Sequence, residues 1–190
     1  MNKIEYPIDK RNWQPSLIPG PVVLVSTCDA TKKPNIAPKS WVQMVSFEPP
    51  MLMFSGTKGN TTEVNIIQTG CFGVNIVDAS IASRVFGCIQ WFGLERIKKA
   101  GFSLVTASKI EAPLVAECRA HLECRLHRTS EIGSGFVVFG EIVAASIWDR
   151  IAAADSEEQY ALLEQIIFLE NNVYSVLNRT ERVDTNRSDH

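Results

Sequence analysis

The chain has 190 residues, 45% hydrophobic and 21% charged, a balance that excludes wholesale disorder and suits one domain able to bury its core without a disulfide or metal staple. Nineteen basic against twenty-one acidic residues leave a net charge of -2, which argues against a general nucleic-acid coat. No apolar run approaches the roughly 18 residues of a transmembrane helix, and the start, broken by Pro7, Pro15 and Pro19, lacks the apolar core of a secretion signal. Five cysteines with no C-x-x-C pair read as reduced core thiols, and hence as a cytoplasmic protein.

After an irregular arm, Val22 to Thr27 is a short β-branched run closed by the turn-like Asp29 to Pro34. Asn35 to Phe47 is a second extended stretch, ended by Pro49-Pro50, and Met51 to Ser55 a third. Such tight connections imply an antiparallel meander. Thr61 to Gln68 reads as a helix capped by Thr61 or Thr62, stopped by Gly70 and buried through Val64, Ile66 and Ile67. Cys71 to Val77 is a fourth strand. Asp78 to Gly101 is helical with breaks near Gly87 and Gly93, and Phe102 to Ala107 is a short strand.

From Leu114 to Leu126 the period is two: Ala120, Leu122, Cys124 and Leu126 face one way, His121, Glu123, Arg125 and His127 the other. A turn over Glu131 to Gly135 leads into a long apolar strand, Phe136 to Trp148. Asp155 with Glu158 has capping-box spacing for a last helix running to about Asn171, with Tyr160, Leu163, Ile166 and Ile167 buried. Six or seven strands with helices between them fit a small, nearly closed antiparallel barrel, which best manages exposed edges.

The Rossmann, P-loop, G-x-S-x-G and H-E-x-x-H patterns are all absent. His121 and His127 lie about 20 Å apart along one strand, too far to share a metal. Two segments stand out. Asn35 to Gln43 mixes Asn35, Lys39, Gln43 and Trp41 on one face, with Pro38 interrupting the ladder. It reads either as an edge strand or as a strand with another object beside it. Ser55 to Asn65 is a strand end, a glycine-flanked loop with Lys58, and a helix start. It reads either as a plain capped helix or as an anion site.

The ordered segments resemble the flavin reductase-like family, the FMN-binding split barrels that include flavoredoxin. The matching residues are Val22 to Thr27, Asn35 to Ser40, Ser46 to Pro50, Lys58 with Thr61 to Asn65, Phe72 to Ile76, Glu95-Arg96-Ile97, Leu122 to Leu126 and Gly140 to Val143, spanning roughly residues 19 to 148. The chain departs from the family at Gly135, where many members carry a histidine.

The resemblance implies a mostly β (α+β) fold, an antiparallel Greek-key split barrel with peripheral helices. The segmentation expected is an arm over 1–18, the FMN-binding barrel over 19–150, a helix over 151–178 packed on the barrel or a dimer partner, and a flexible tail over 179–190. It implies FMN with its phosphate at Thr61 and Thr62, assisted by Lys58 and Arg96, and its ribityl chain and ring against Asn35, Ala37, Ser40, Trp41, Val42 and Ser55. The chemistry is then the flavin's, with NAD(P)H as transient reductant, a small molecule or protein as electron acceptor, and no catalytic side chain. A homodimer completing the flavin site is implied as well; Trp91, Phe92 and an all-round apolar end of the last helix give it support in the sequence. A non-catalytic FMN electron carrier, or a module for another planar cofactor such as haem or a deazaflavin, is the alternative.

Overall fold

The computed structural model describes residues 1–6 and 15–181, so parts of the expected arm and most of the expected tail lie outside the described residues. In chain order the first elements are β1 (Gly20–Pro21), β2 (Val23–Cys28), β3 (Pro34–Lys39), β4 (Val42–Phe47), β5 (Pro50–Gly56), α1 (Thr61–Thr69) and β6 (Cys71–Ile76). A 3₁₀ turn (Ala79–Ile81) follows, with α2 (Ala82–Gly87), α3 (Gly93–Ala100), β7 (Leu104–Val105) and β8 (Leu114–Val115). The long pair β9 (Ala120–Ile132) and β10 (Gly135–Ile147) precedes α4 (Asp149–Ala152), α5 (Ser156–Leu163), β11 (Ile166–Phe168) and β12 (Tyr174–Val176).

Seven strands form one antiparallel sheet in the order β3-β2-β6-β9-β10-β5-β4. Its two edge strands, β3 and β4, are consecutive in the chain and joined only by Ser40 and Trp41. That link forces the sheet to curl until its edges approach, which makes the split barrel. The expected three-run meander is corrected here: β3 pairs with β2 and β4 with β5, but β3 and β4 lie at opposite ends of the sheet. Pro38 sits on an edge strand, where its missing N–H costs no ladder bond.

β2 is buried along its whole length. Alternate side chains point to opposite faces, and both faces of this strand are covered. Val22 and Leu24 join a core with Ile36, Val77, Val85, Ile97 and Ile166, between the barrel wall and the peripheral helices. Val23 and Val25 join the barrel interior with Leu52, Phe54, Ile66, Phe72, Val74 and Val138. There Phe54 and Phe72 meet edge to face at 5.4 Å and 77°. Gly140 is required by close approach, because a Cβ there would stand 2.4 Å from the Phe72 ring.

α1 keeps its expected bounds but turns a different face inward. Thr62, Glu63, Asn65 and Ile66 are buried, whereas Val64 and Ile67 are exposed. Polar residues face in because they meet a polar layer: Asn35 Nδ2 donates to Thr62 Oγ1 at 3.1 Å and Asn65 Nδ2 to Thr27 Oγ1 at 3.1 Å. The N-cap is Asn60, with no side-chain capping bond, rather than Thr61 or Thr62.

The helix expected over 151–178 is also corrected. Asp155 caps α5 as anticipated, accepting from Glu157 N and Glu158 N. The helix then stops at Glu164, whose φ is 46°. Ile166 to Phe168 and Tyr174 to Val176 form a hairpin that pairs with β1, not a helix end. The β-branched Ile166-Ile167 and the left-handed Glu170, Asn171 and Asn172, at φ 73°, 51° and 61°, supply the strand and turn chemistry.

All five cysteines are buried and free, and burial pushes the Cys118 and Cys124 thiols well above the ordinary range. Among the described residues no group of three His, Cys, Asp or Glu is placed to hold a metal, and no helix is long and apolar enough to cross a membrane.

Glu123 on β9 is 5% exposed and fastens the loop before β8. It accepts from Ser108 N and Oγ, each at 2.9 Å, and from Lys109 N at 2.6 Å. Burial pushes this carboxyl up, but the donors outweigh it and hold the group below 4.5. Stability from it is therefore full above that pH and is lost as pH falls through the lower folded value. Glu123→Gln should cost about 1–3 kcal/mol in urea unfolding at pH 7, with the gap to wild type closing in acid; a gap constant with pH would contradict the assignment.

Candidate flavin site

The β3–β4 corner borders a cavity of about 620 Å³. Ser40, Trp41, Val42 and Gln43 form one side, Met53 and Ser55 of β5 with Val137 of β10 another, and Ser16 with Ile18 to Pro21 a third, closed by Glu170 of the last hairpin. The mouth is mostly apolar, with a few hydroxyls and one amide. Trp41 is 67% exposed, although Ser55 N donates to its carbonyl at 3.0 Å. Its backbone is thus fixed while its indole stays free to cover a ring.

A second, polar cavity of about 450 Å³ lies between the N-termini of α1 and α3. Asn35, Thr61 and Asn65 line it, with Lys33, the carboxylates Asp29 and Glu95, and the exposed Phe92. Asn35 and Asn65 are each 4% exposed and spend their amide nitrogens on Thr27 and Thr62. Among the described residues their amide oxygens have no partner, although each residue lines the cavity. Neither Asn60 nor Phe92 caps its helix with a side chain, which leaves first-turn N–H groups of both helices open. Open N–H donors and Lys33 fit a phosphate and the amide oxygens a polyol, with the carboxylates of Asp29 and Glu95 on the same rim opposing an anion.

Between the two cavities runs a buried ion pair. Lys39 Nζ donates to Glu63 Oε1 at 2.6 Å, with side chains 11% and 1% exposed. The pair ties the end of β3 to the first turn of α1 and lies against Gly56. A Cβ there would stand 1.8 Å from Glu63 Oε1, so any other residue would displace the pair.

Of the ten residues expected at the site, Ser40, Trp41, Val42 and Ser55 come together at the first cavity, and Asn35 and Thr61 at the second. Ala37 is half-buried on β3 between them and lines neither. Lys58 is exposed beside the α1 start, where it pairs with Glu131 at 2.6 Å. Thr62 is buried and lines neither cavity; its hydroxyl accepts from Asn35 Nδ2.

Arg96 lines neither cavity. It is 7% exposed, and it donates to Ile36 O at 2.7 Å and to Cys88 O and Ile89 O at 3.2 Å. Its fork binds α3 to β3. The wall residues Met53, Val137 and Glu170 are additions; the sequence held no local signal for them, because they reach the cavity only through strand pairing and the unforeseen hairpin. Gly135 stands beside Ser55, an added Cβ lying 3.4 Å from Ser55 Oγ. The described histidines lie elsewhere, on β9, and His121 is bonded to Val115 O and Ser146 Oγ.

The family model of the flavin reductase like domain matches residues 16–163. The chain belongs to this family. An uncharacterized protein of Aquifex aeolicus is 31% identical over 142 residues, covering 71% of this chain and 72% of its own length. The crystal structure of the Pseudomonas fluorescens 2-nitrobenzoate 2-nitroreductase superposes with a TM-score of 0.80 at 25% identity, over 93% of this chain and 89% of that one. Flavoredoxin from Methanosarcina acetivorans superposes at 0.81 with 22% identity, over 98% of this chain and 97% of that one, which shows the shared fold. The flavin reductase-like split barrel is therefore the fold of this chain.

The ion pair yields a stability prediction. Lys39→Met strands a buried carboxylate and should cost about 3–5 kcal/mol in urea unfolding, whereas Lys39→Met with Glu63→Leu should recover most of that loss. A double variant no more stable than the single one would show that the pair is not the relevant interaction.

Proposed function

We propose that this flavin reductase-like protein binds FMN across the two cavities and works as an NAD(P)H-dependent oxidoreductase, reducing free flavin or another acceptor. The observation that carries the reading is the pairing of an apolar cavity walled by Trp41 with a polar pocket of open helix N–H groups, at the two ends of β3. Bound FMN would supply the hydride-accepting and electron-donating centre. The protein's share is binding and orientation.

In this reading Trp41, Val42, Met53 and Val137 give the apolar walls for a planar ring, and Ser40 and Ser55 give hydroxyls at its edge. Asn35 would hold the ribityl chain, with Ala37 on β3 between the two cavities. The phosphate meets the open N–H groups of α1 near Thr61. Lys58 is close in sequence to those groups, and its exposed pair with Glu131 is weak enough to exchange for a phosphate.

A homodimer suits the exposed apolar surface of the unpaired edge strand. Met44 is 41%, Val45 42% and Phe47 92% exposed on β4, the kind of edge that a second copy covers. The cytoplasm fits a protein whose five cysteines are all buried free thiols.

Haem is less well supported, because no histidine lines either cavity. The electron-carrier alternative differs only in turnover, so one experiment separates the readings. Purified protein should be yellow, absorb near the flavin maximum, and bleach on anaerobic addition of NADH or NADPH. A flavin spectrum that neither nucleotide bleaches makes the protein a carrier, and a haem spectrum overturns the proposal.

Lys58→Ala should weaken FMN binding about tenfold or more, the value of roughly 1.5–3 kcal/mol for a charge-assisted contact, and leave riboflavin binding unchanged. Titration of apo-protein with both ligands checks this; equal weakening of the two removes Lys58 from the phosphate.

A further inference from the structure

Among the described residues lining the corner cavity, Glu170 alone carries a formal charge. Among the described residues its carboxylate has no ion pair and no hydrogen bond; its backbone carbonyl accepts from Val173 N at 3.0 Å. Around it the walls are apolar or neutral, from Ile18 and Trp41 to Met53 and Val137.

The residue is held in place. β11 pairs with β1 at the cavity wall, Gly20 opposite Phe168 and Pro21 opposite Ile167. Phe86 stacks on Phe168 at 6.0 Å and on Tyr174 at 5.5 Å, gripping both strands of the hairpin. Arg119 binds Glu164 at 2.7 Å where the hairpin begins. A glutamate at φ 73° occupies a backbone conformation better suited to glycine or asparagine.

An anion entering this cavity loses hydration against apolar walls and meets a like charge that no described residue pairs. A neutral or cationic ring meets an acceptor instead. We infer that Glu170 sets the charge specificity of an acceptor subsite in this cavity, one that takes a planar aromatic molecule, neutral or cationic, and rejects aromatics bearing a carboxylate. The inference rests on the flavin reading, which puts the acceptor beside the ring in the same cavity.

Benzamidinium, benzamide and benzoate offer one ring with charges of +1, 0 and −1. Their dissociation constants are read from the flavin spectrum of FMN-loaded protein, for wild type, Glu170→Gln and Glu170→Asn, the last chosen because asparagine tolerates the left-handed backbone. Wild type should prefer benzamidinium to benzoate by about tenfold or more, and both variants should shrink that ratio about tenfold while benzamide affinity stays within about twofold. A ratio unchanged by either substitution, a wild-type preference for benzoate, or no measurable binding of any of the three overturns the inference and leaves the flavin reading standing. Failure of wild type to bind FMN overturns both.

Discussion

The buried ion pair between Lys39 and Glu63 joins three parts of the molecule that must stay in register. Lys39 ends one edge strand of the sheet, Glu63 sits in the first turn of α1, and both lie against Gly56 at the end of β5. Taking two charges out of water is favourable only when their geometry is tight. Here the strictness extends to a glycine that no other residue can replace without displacing the carboxylate. The split of the barrel is thus closed by a polar lock rather than by a strand ladder. Both cavities open beside that lock, one past the end of β3 and one along its start.

The corner follows from connectivity. A chain that leaves one edge of a seven-stranded sheet and enters the other within two residues leaves its linking residues with few partners. Ser40 and Trp41 are those residues, and Trp41 is left largely exposed as a result. Arg96 steadies the same edge from behind by donating to Ile36 O. The last hairpin steadies the facing wall through β1, whose Gly20 passes so close that a Cβ would lie 1.9 Å from Ser40 O. The walls of the corner cavity are therefore set by the scaffold on several sides, which is what orienting a planar group requires.

Much of this was legible in the sequence because the signals were local. The run from Val22 to Thr27, the prolines at 49 and 50, the alternation from Ala120 to His127 and the Asp155 cap each fix an element through its own residues. The residues of Asn35 to Val42 that fail to alternate mark the cavities they line. What was not legible depends on tertiary partners. Thr62 and Asn65 turn inward because Asn35 and Thr27 await them, and no spacing rule contains that. Arg96 looked available for a phosphate because a sequence does not display the carbonyls of Ile36, Cys88 and Ile89 gathered around it. The last hairpin was hidden by a helix-like run of apolar residues, and Glu170 with it.

The central claim is that the β3–β4 corner and the α1 start form one flavin site, and a crystal structure of the protein with FMN tests it most directly. The account predicts the isoalloxazine ring between Trp41, Met53 and Val137, with the phosphate at the open N–H groups near Thr61. A ring bound elsewhere, or a phosphate held away from α1, would contradict it.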